Sequence, residues 1–174
     1  MKYIITESQH RRLFEEEQKV LHFPSLKDFN DEWNIPSVKY FNRDWNAQQK
    51  YMERKVKSLY SLGGDLDLNS TSIKSLGNLT SVGGNLILRG SEIKSLGNLT
   101  SVGGDLYLNL TQIKSLGNLT YVGGNLFLEQ TPIESLGNLT FVGGYLDLAR
   151  TPISKNYSIE QIRQIVNVKG KIYL

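Results

Sequence analysis

From Gly63 onward the chain repeats one pattern of apolar and polar positions every 20 residues. The unit reads Gly-Gly-x-Leu-x-Leu-x-x-Ser/Thr-x-Ile-x-Ser-Leu-Gly-Asn-Leu-Thr-x-Val. Four complete copies run from Gly63 to Val142, and a fifth runs from Gly143 to Ile153 before it diverges. Within each copy x-Leu-x-Leu-x alternates with period two, which predicts a short strand with one buried face. The inward pairs are Leu66/Leu68, Leu86/Leu88, Leu106/Leu108, Leu126/Leu128 and Leu146/Leu148. The isoleucines from Ile73 to Ile153, and Leu76, Leu79 and Val82 with their copies, are further inward positions. One copy cannot bury its apolar face alone, but stacked copies make a continuous core.

Leu-x-Leu-x-x-Ser/Thr-x-Ile resembles the leucine-rich-repeat signature Leu-x-Leu-x-x-Asn-x-Leu, at the short end of that family's length range. The likeness covers about 100 of 174 residues. It implies an α+β repeat fold: a leucine-rich-repeat solenoid with one parallel β-sheet on its concave face. Two departures stand out. Thr71, Ser91, Thr111, Thr131 and Thr151 fill the usual Asn position, so the inner hydrogen-bond ladder is expected to differ. Glycine fills the usual first Leu, which predicts a tight turn before each strand. With 20 residues per coil there is no room for a full helix on the return path, which is expected to be extended or 3₁₀. The repeat length is similar to that of short-repeat bacterial effectors and of tailed-phage repeat proteins. The opening Met1-Lys-Tyr-Ile-Ile-Thr-Glu-Ser-Gln9 resembles N-termini of marine phage proteins.

A solenoid needs caps at both ends. At the C-terminus, Ser158-Ile-Glu-Gln161 fits a capping box, and Ile159, Ile162 and Val166 share a helical face. Gly170-Lys-Ile-Tyr-Leu174 repeats the strand pattern, predicting a sixth strand with Ile172 and Leu174 inward. Lys169 and Lys171 would discourage another chain from pairing with that edge. The first 57 residues show no repeat. Helices are expected from about 7 to 20 and from about 38 to 57, the second carrying a stripe of Val38, Phe41, Trp45, Met52, Val56 and Leu59. The division is therefore 1–57 as a mostly helical N-terminal cap or docking segment, 58–153 as repeats, and 154–174 as a short helix plus strand cap.

Composition narrows the chemistry. There is no cysteine, which excludes disulfides, thiolate metal sites and cysteine nucleophiles, including that of the ubiquitin-ligase effectors. The two histidines, His10 and His22, match no metal spacing. The Gly-Gly pairs lack the Lys-Ser/Thr of a phosphate loop. No catalytic site, cofactor or metal is expected. Residues 1–57 hold 11 basic and 9 acidic residues and the remainder 9 and 8, so neither part has a nucleic-acid binder's basic excess. No apolar run suits a signal sequence or a membrane span. The expectation is a cytoplasmic monomer, with residence in a virion or export without a signal peptide as alternatives.

The outward strand positions carry the functional expectation. The central column runs Asp67, Ile87, Tyr107, Phe127, Asp147 and Tyr173. The column before it runs Asp65, Asn85, Asp105, Asn125, Tyr145 and Lys171; the column after it runs Asn69, Arg89, Asn109, Glu129 and Ala149. Inward positions are nearly invariant between copies, whereas these differ. Ile87, Tyr107 and Phe127 form an apolar ribbon flanked by Asp67 and Asp147, the aromatic-anchor pattern of protein interfaces. The candidate partner-binding residues are Asp67, Ile87, Arg89, Asp105, Tyr107, Phe127, Glu129, Tyr145 and Asp147, with a protein as the expected partner. Two alternatives remain open: an assembly component docking through its N-terminal segment, and a lattice-, ice- or glycan-binding surface on the ladder Thr80, Thr100, Thr120 and Thr140.

Overall fold

The structure, a computed structural model, describes residues 60–174 and the short strand His22–Phe23. The helices expected within 1–57 lie outside the described residues. What is described is a β-solenoid whose coils stack in parallel at 20-residue steps.

Each regular coil contributes two strands. The first set comprises β2 (Ser61–Leu62), β4 (Ser81–Val82), β6 (Ser101–Val102), β8 (Tyr121–Val122), β10 (Phe141–Val142) and β12 (Asn167–Val168). Together with β1 (His22–Phe23) these form a seven-stranded parallel sheet, ordered β1-β2-β4-β6-β8-β10-β12. The second set comprises β3 (Leu66–Asp67), β5 (Leu86–Ile87), β7 (Leu106–Tyr107), β9 (Leu126–Phe127), β11 (Leu146–Asp147) and β13 (Ile172–Tyr173). They form a six-stranded parallel sheet in that order from β3 to β13. The second sheet is the one the Leu-x-Leu alternation predicts. The first corrects the expectation of a single sheet. Its x-Val dipeptide is too short to show alternation, and only stacking at a fixed register makes it a sheet.

The Gly-Gly corner joins the two sheets through a bend just before each strand, where the tight turn is expected, and the reason it takes glycine is not a left-handed backbone. Neither residue of the pair takes a positive φ. The requirement is space between coils. A Cβ on Gly83 would strike the carbonyl oxygen of Gly63, and one on Gly84 would strike the Asp65 carboxylate. Left-handed backbone occurs elsewhere, at Gly77, Gly97, Gly117 and Gly137 of the Ser-Leu-Gly-Asn phrase, with φ of 58–62°. There the serine two residues earlier accepts the glycine N–H, as Ser75 Oγ does from Gly77 at 3.0 Å.

The core lies between the sheets and the return segment. Leu66, Leu68, Ile73, Leu76, Leu79 and Val82 are buried with all their copies in one continuous cluster. Full burial of each such side chain contributes about 1.5–3 kcal/mol, and identical columns let it add coil by coil. The Ser/Thr column is also inside from Ser91 to Thr151, with Thr71 half-buried at its start. The hydroxyls of Thr71, Thr111, Thr131 and Thr151 donate to the carbonyl three residues earlier at 2.7–2.8 Å, so this column closes a turn within its own coil.

After β11 come two short helices, α1 (Pro152–Asn156) and α2 (Ile159–Ile165). Thr151 caps α1, and the Ser158–Gln161 capping box of α2 is present in both directions. Ile172 pairs with Leu146 across 26 residues rather than 20, the helices taking up the difference. Ile162, Val166 and Ile172 are buried as expected. Ile159 and Leu174 are not: they are 37% and 42% exposed. Ile159 is the first helical residue, a turn before the face that packs. Leu174 follows the last bonded strand position.

Candidate functional site

The outward columns of the β3–β13 sheet divide into one that builds the solenoid and others free to face a ligand. The building column is Asp65, Asn85, Asp105 and Asn125. Each side-chain Oδ1 accepts the backbone N–H of the next residue in its own column, at 2.6–2.7 Å, ending at Tyr145 N–H. Acid and amide alternate, so no two carboxylates occupy neighbouring rungs. Asp105 is thus a rung of this ladder, a role that reading it as a variable surface position missed. The signal was present in the strict Asp/Asn alternation.

The central column does present a surface. Tyr107 and Phe127 stack with ring centroids 4.8 Å apart and planes 16° from parallel. Their Cα register, with Ile87 beside Tyr107, follows directly from strand pairing. The Tyr107 hydroxyl donates to Asp105 Oδ2 at 3.1 Å. Burial, followed by this hydrogen bond and the adjacent negative charge, raises the phenol above its ordinary value. Beyond the strand ends, the chain turns through one left-handed residue per coil: Ser70, Gly90, Leu110, Gln130 and Arg150, with φ of 53–64°.

These features enclose a groove of about 320 Å³, lined by Arg89, Tyr107, Asn109, Leu110, Phe127, Glu129 and Gln130. Four sequence-predicted residues come together here: Arg89, Tyr107, Phe127 and Glu129. Glu129 Oε1 lies 3.5 Å from Arg150 Nη1. Leu110 and Gln130 were missed, because their position lies outside the alternating strand pattern. Asp67 and Asp147 stand in the same column as the ring pair, and each carboxylate accepts the N–H two residues on, from Asn69 at 2.9 Å and Ala149 at 3.0 Å. Tyr145 lies apart from the groove, edge-on to Tyr173 at 6.1 Å.

A second aromatic pair decorates the other sheet. Tyr121 and Phe141 stack at 5.1 Å and 5°, with Lys169 Nζ 6.0 Å from the Phe141 ring. The x of x-Val changes from Ser to Tyr and Phe at these positions, a signal legible only once that dipeptide is known to be a strand.

The Thr80–Thr140 ladder is exposed, but its hydroxyl protons are committed inward. Thr100 Oγ1 donates to the Thr80 carbonyl at 2.9 Å, and Thr80, Thr120 and Thr140 do likewise toward the preceding coil. Among the described residues no group of His, Asp and Glu is placed to hold a metal ion, and no helix is long and apolar enough to cross a membrane. No family model, no curated protein and no solved structure matches this chain.

Proposed function

We propose that the chain is a non-catalytic binding module, a leucine-rich-repeat type of solenoid that takes a protein partner in the groove over Tyr107 and Phe127. One observation carries this reading: a stacked aromatic pair lies in a polar-rimmed groove on an otherwise repetitive frame. Rigid aromatics ringed by adaptable polar groups are the usual anchors of protein recognition. The backbone adds support. A left-handed conformation costs a non-glycine residue about 1–2 kcal/mol. Gly90 meets that requirement without strain, yet the groove carries Leu110 and Gln130 at the equivalent position. Ser70 and Arg150 take the same conformation outside the groove, so the strain is common to the coils, and the support lies in the side chains, Leu110 and Gln130, that it turns into the groove wall.

The test is affinity capture from the producing organism with three forms of the full chain: wild type, Tyr107→Ser/Phe127→Ser, and Tyr121→Ser/Phe141→Ser. All three are first matched by circular dichroism and denaturant midpoint. A partner held by the wild type and the second variant, and lost by the first, is the expected result. Loss in the second variant with retention in the first would move the site to the other sheet and defeat the proposal.

A further inference from the structure

The outward face on which the groove lies has a charge pattern that narrows its occupant. This inference rests on the groove being the binding surface. Five carboxylates occupy the outward positions up to β11, Asp65, Asp67, Asp105, Glu129 and Asp147, against two cations, Arg89 and Arg150. Arg150 balances Glu129. Asp65 and Asp105 are rungs of the ladder, and Asp105 also accepts from Tyr107. Asp67 and Asp147 use Oδ1 for their own backbone, and no cation pairs with either carboxylate among the described residues. The chain as a whole carries +3, so this negative face is a local feature.

Asp67 and Asp147, the carboxylates of the central column, bracket the apolar ribbon. They sit on β3 and β11, four strand steps apart in the sheet, which at the usual inter-strand spacing is about 19 Å. An extended hexapeptide spans about 17 Å between its end Cα atoms, and its end side chains reach further. Between the carboxylates lie Ile87, Tyr107 and Phe127. The groove beside them offers Arg89, Asn109 and Gln130, whose donors and acceptors match main-chain carbonyls and N–H groups. We infer that the central column and the groove beside it take an extended peptide segment lying along the solenoid axis, apolar at its centre, with a cationic side chain reaching beyond the groove at each end, one on Asp67 and one on Asp147.

Fluorescence anisotropy with labelled hexapeptides tests this on the full chain. The probes share a Leu-Phe centre flanked by glycines and differ at both ends: lysine, serine or glutamate. Charge steering and pairing at two sites predict that the lysine-ended probe binds at least about tenfold tighter than the glutamate-ended one. The advantage should shrink as salt rises from about 0.05 to about 0.5 M. Asp67→Asn/Asp147→Asn keeps the backbone hydrogen bonds through the amide oxygen while removing the charges, and should bring the probes within about twofold of one another. Equal binding of lysine- and glutamate-ended probes, or a lysine preference that survives the double variant, overturns the inference. If all three probes bind equally and Tyr107→Ser weakens all three, the cationic class falls while the groove stands. If none binds, the inference falls, and the capture experiment judges the groove separately.

Discussion

Ser91 donates its backbone N–H to the Leu88 carbonyl at 3.0 Å, as Thr111 does to Leu108 at 3.2 Å, but its buried hydroxyl has no hydrogen-bond partner. In the threonine coils that hydroxyl donates to the same carbonyl. The β-methyl restricts χ1 and holds the hydroxyl on its acceptor. A buried unpaired hydroxyl costs about 1–3 kcal/mol, and a net hydrogen bond returns about 1. Ser91→Thr should therefore stabilise the protein by about 1 kcal/mol, read as a higher denaturant midpoint at unchanged slope.

Two glycines of the same unit should respond differently to alanine. At Gly104 a Cβ would meet Asn85 Oδ1 and the Gly84 carbonyl carbon, in the contact between coils. At Gly117 it would meet nothing within 4 Å, and only the φ of 58° resists it. Overpacking at Gly104→Ala should cost about 2–3 kcal/mol and Gly117→Ala about 1 kcal/mol. Equal losses in urea unfolding would mean that conformational freedom, and not space, selects the Gly-Gly pair.

The Asp/Asn alternation yields an electrostatic prediction. Asn85→Asp would put three carboxylates on consecutive rungs, Asp65, the new acid and Asp105, about 4.8 Å apart. Each new repulsion is worth about 1 kcal/mol in a water-like medium, so a loss of about 1–2 kcal/mol is expected at neutral pH and low salt. Added salt should recover much of it. A loss that salt leaves unchanged would point to geometry instead of charge.

Tyr107 gives a pH-dependent readout. Its raised phenol favours the protonated form in the folded state. The associated stability is fully present below the ordinary tyrosine range near pH 10 and is lost as pH rises through the folded value. Titration of the Tyr107 ring resonance by NMR should give a midpoint above the ordinary tyrosine value near 10. Asp105→Asn keeps the rung through its amide oxygen but removes the charge, and should lower the Tyr107 midpoint without abolishing the upshift that burial causes.

The sequence revealed most where packing repeats. Every inward column from Leu66 to Val142 was visible as period-20 identity, because close-packed stacked positions tolerate little change. It was blind to features that exist only between coils. The sheet through Val82 and Val102 needs two coils side by side before either dipeptide has a partner. The Gly83–Gly63 contact likewise has no trace within one unit. At the site, Arg89, Tyr107, Phe127 and Glu129 stood out by varying on an invariant frame. Leu110 and Gln130 did not, since their role depends on a left-handed turn that neither residue type announces.

The regular register has an evolutionary consequence. Because Leu66, Leu86, Leu106, Leu126 and Leu146 align directly, removing or duplicating one unit between two Ser-Leu-Gly-Asn-Leu-Thr phrases leaves every inner column matched. Unequal crossing-over between copies can therefore lengthen or shorten the molecule in steps of one strand, about 4.8 Å. The ladder would sense the parity of such events, because the loss of one unit brings two acids or two amides together. Even-numbered changes preserve the alternation. Growth by pairs of units is the route this architecture leaves open at least electrostatic cost.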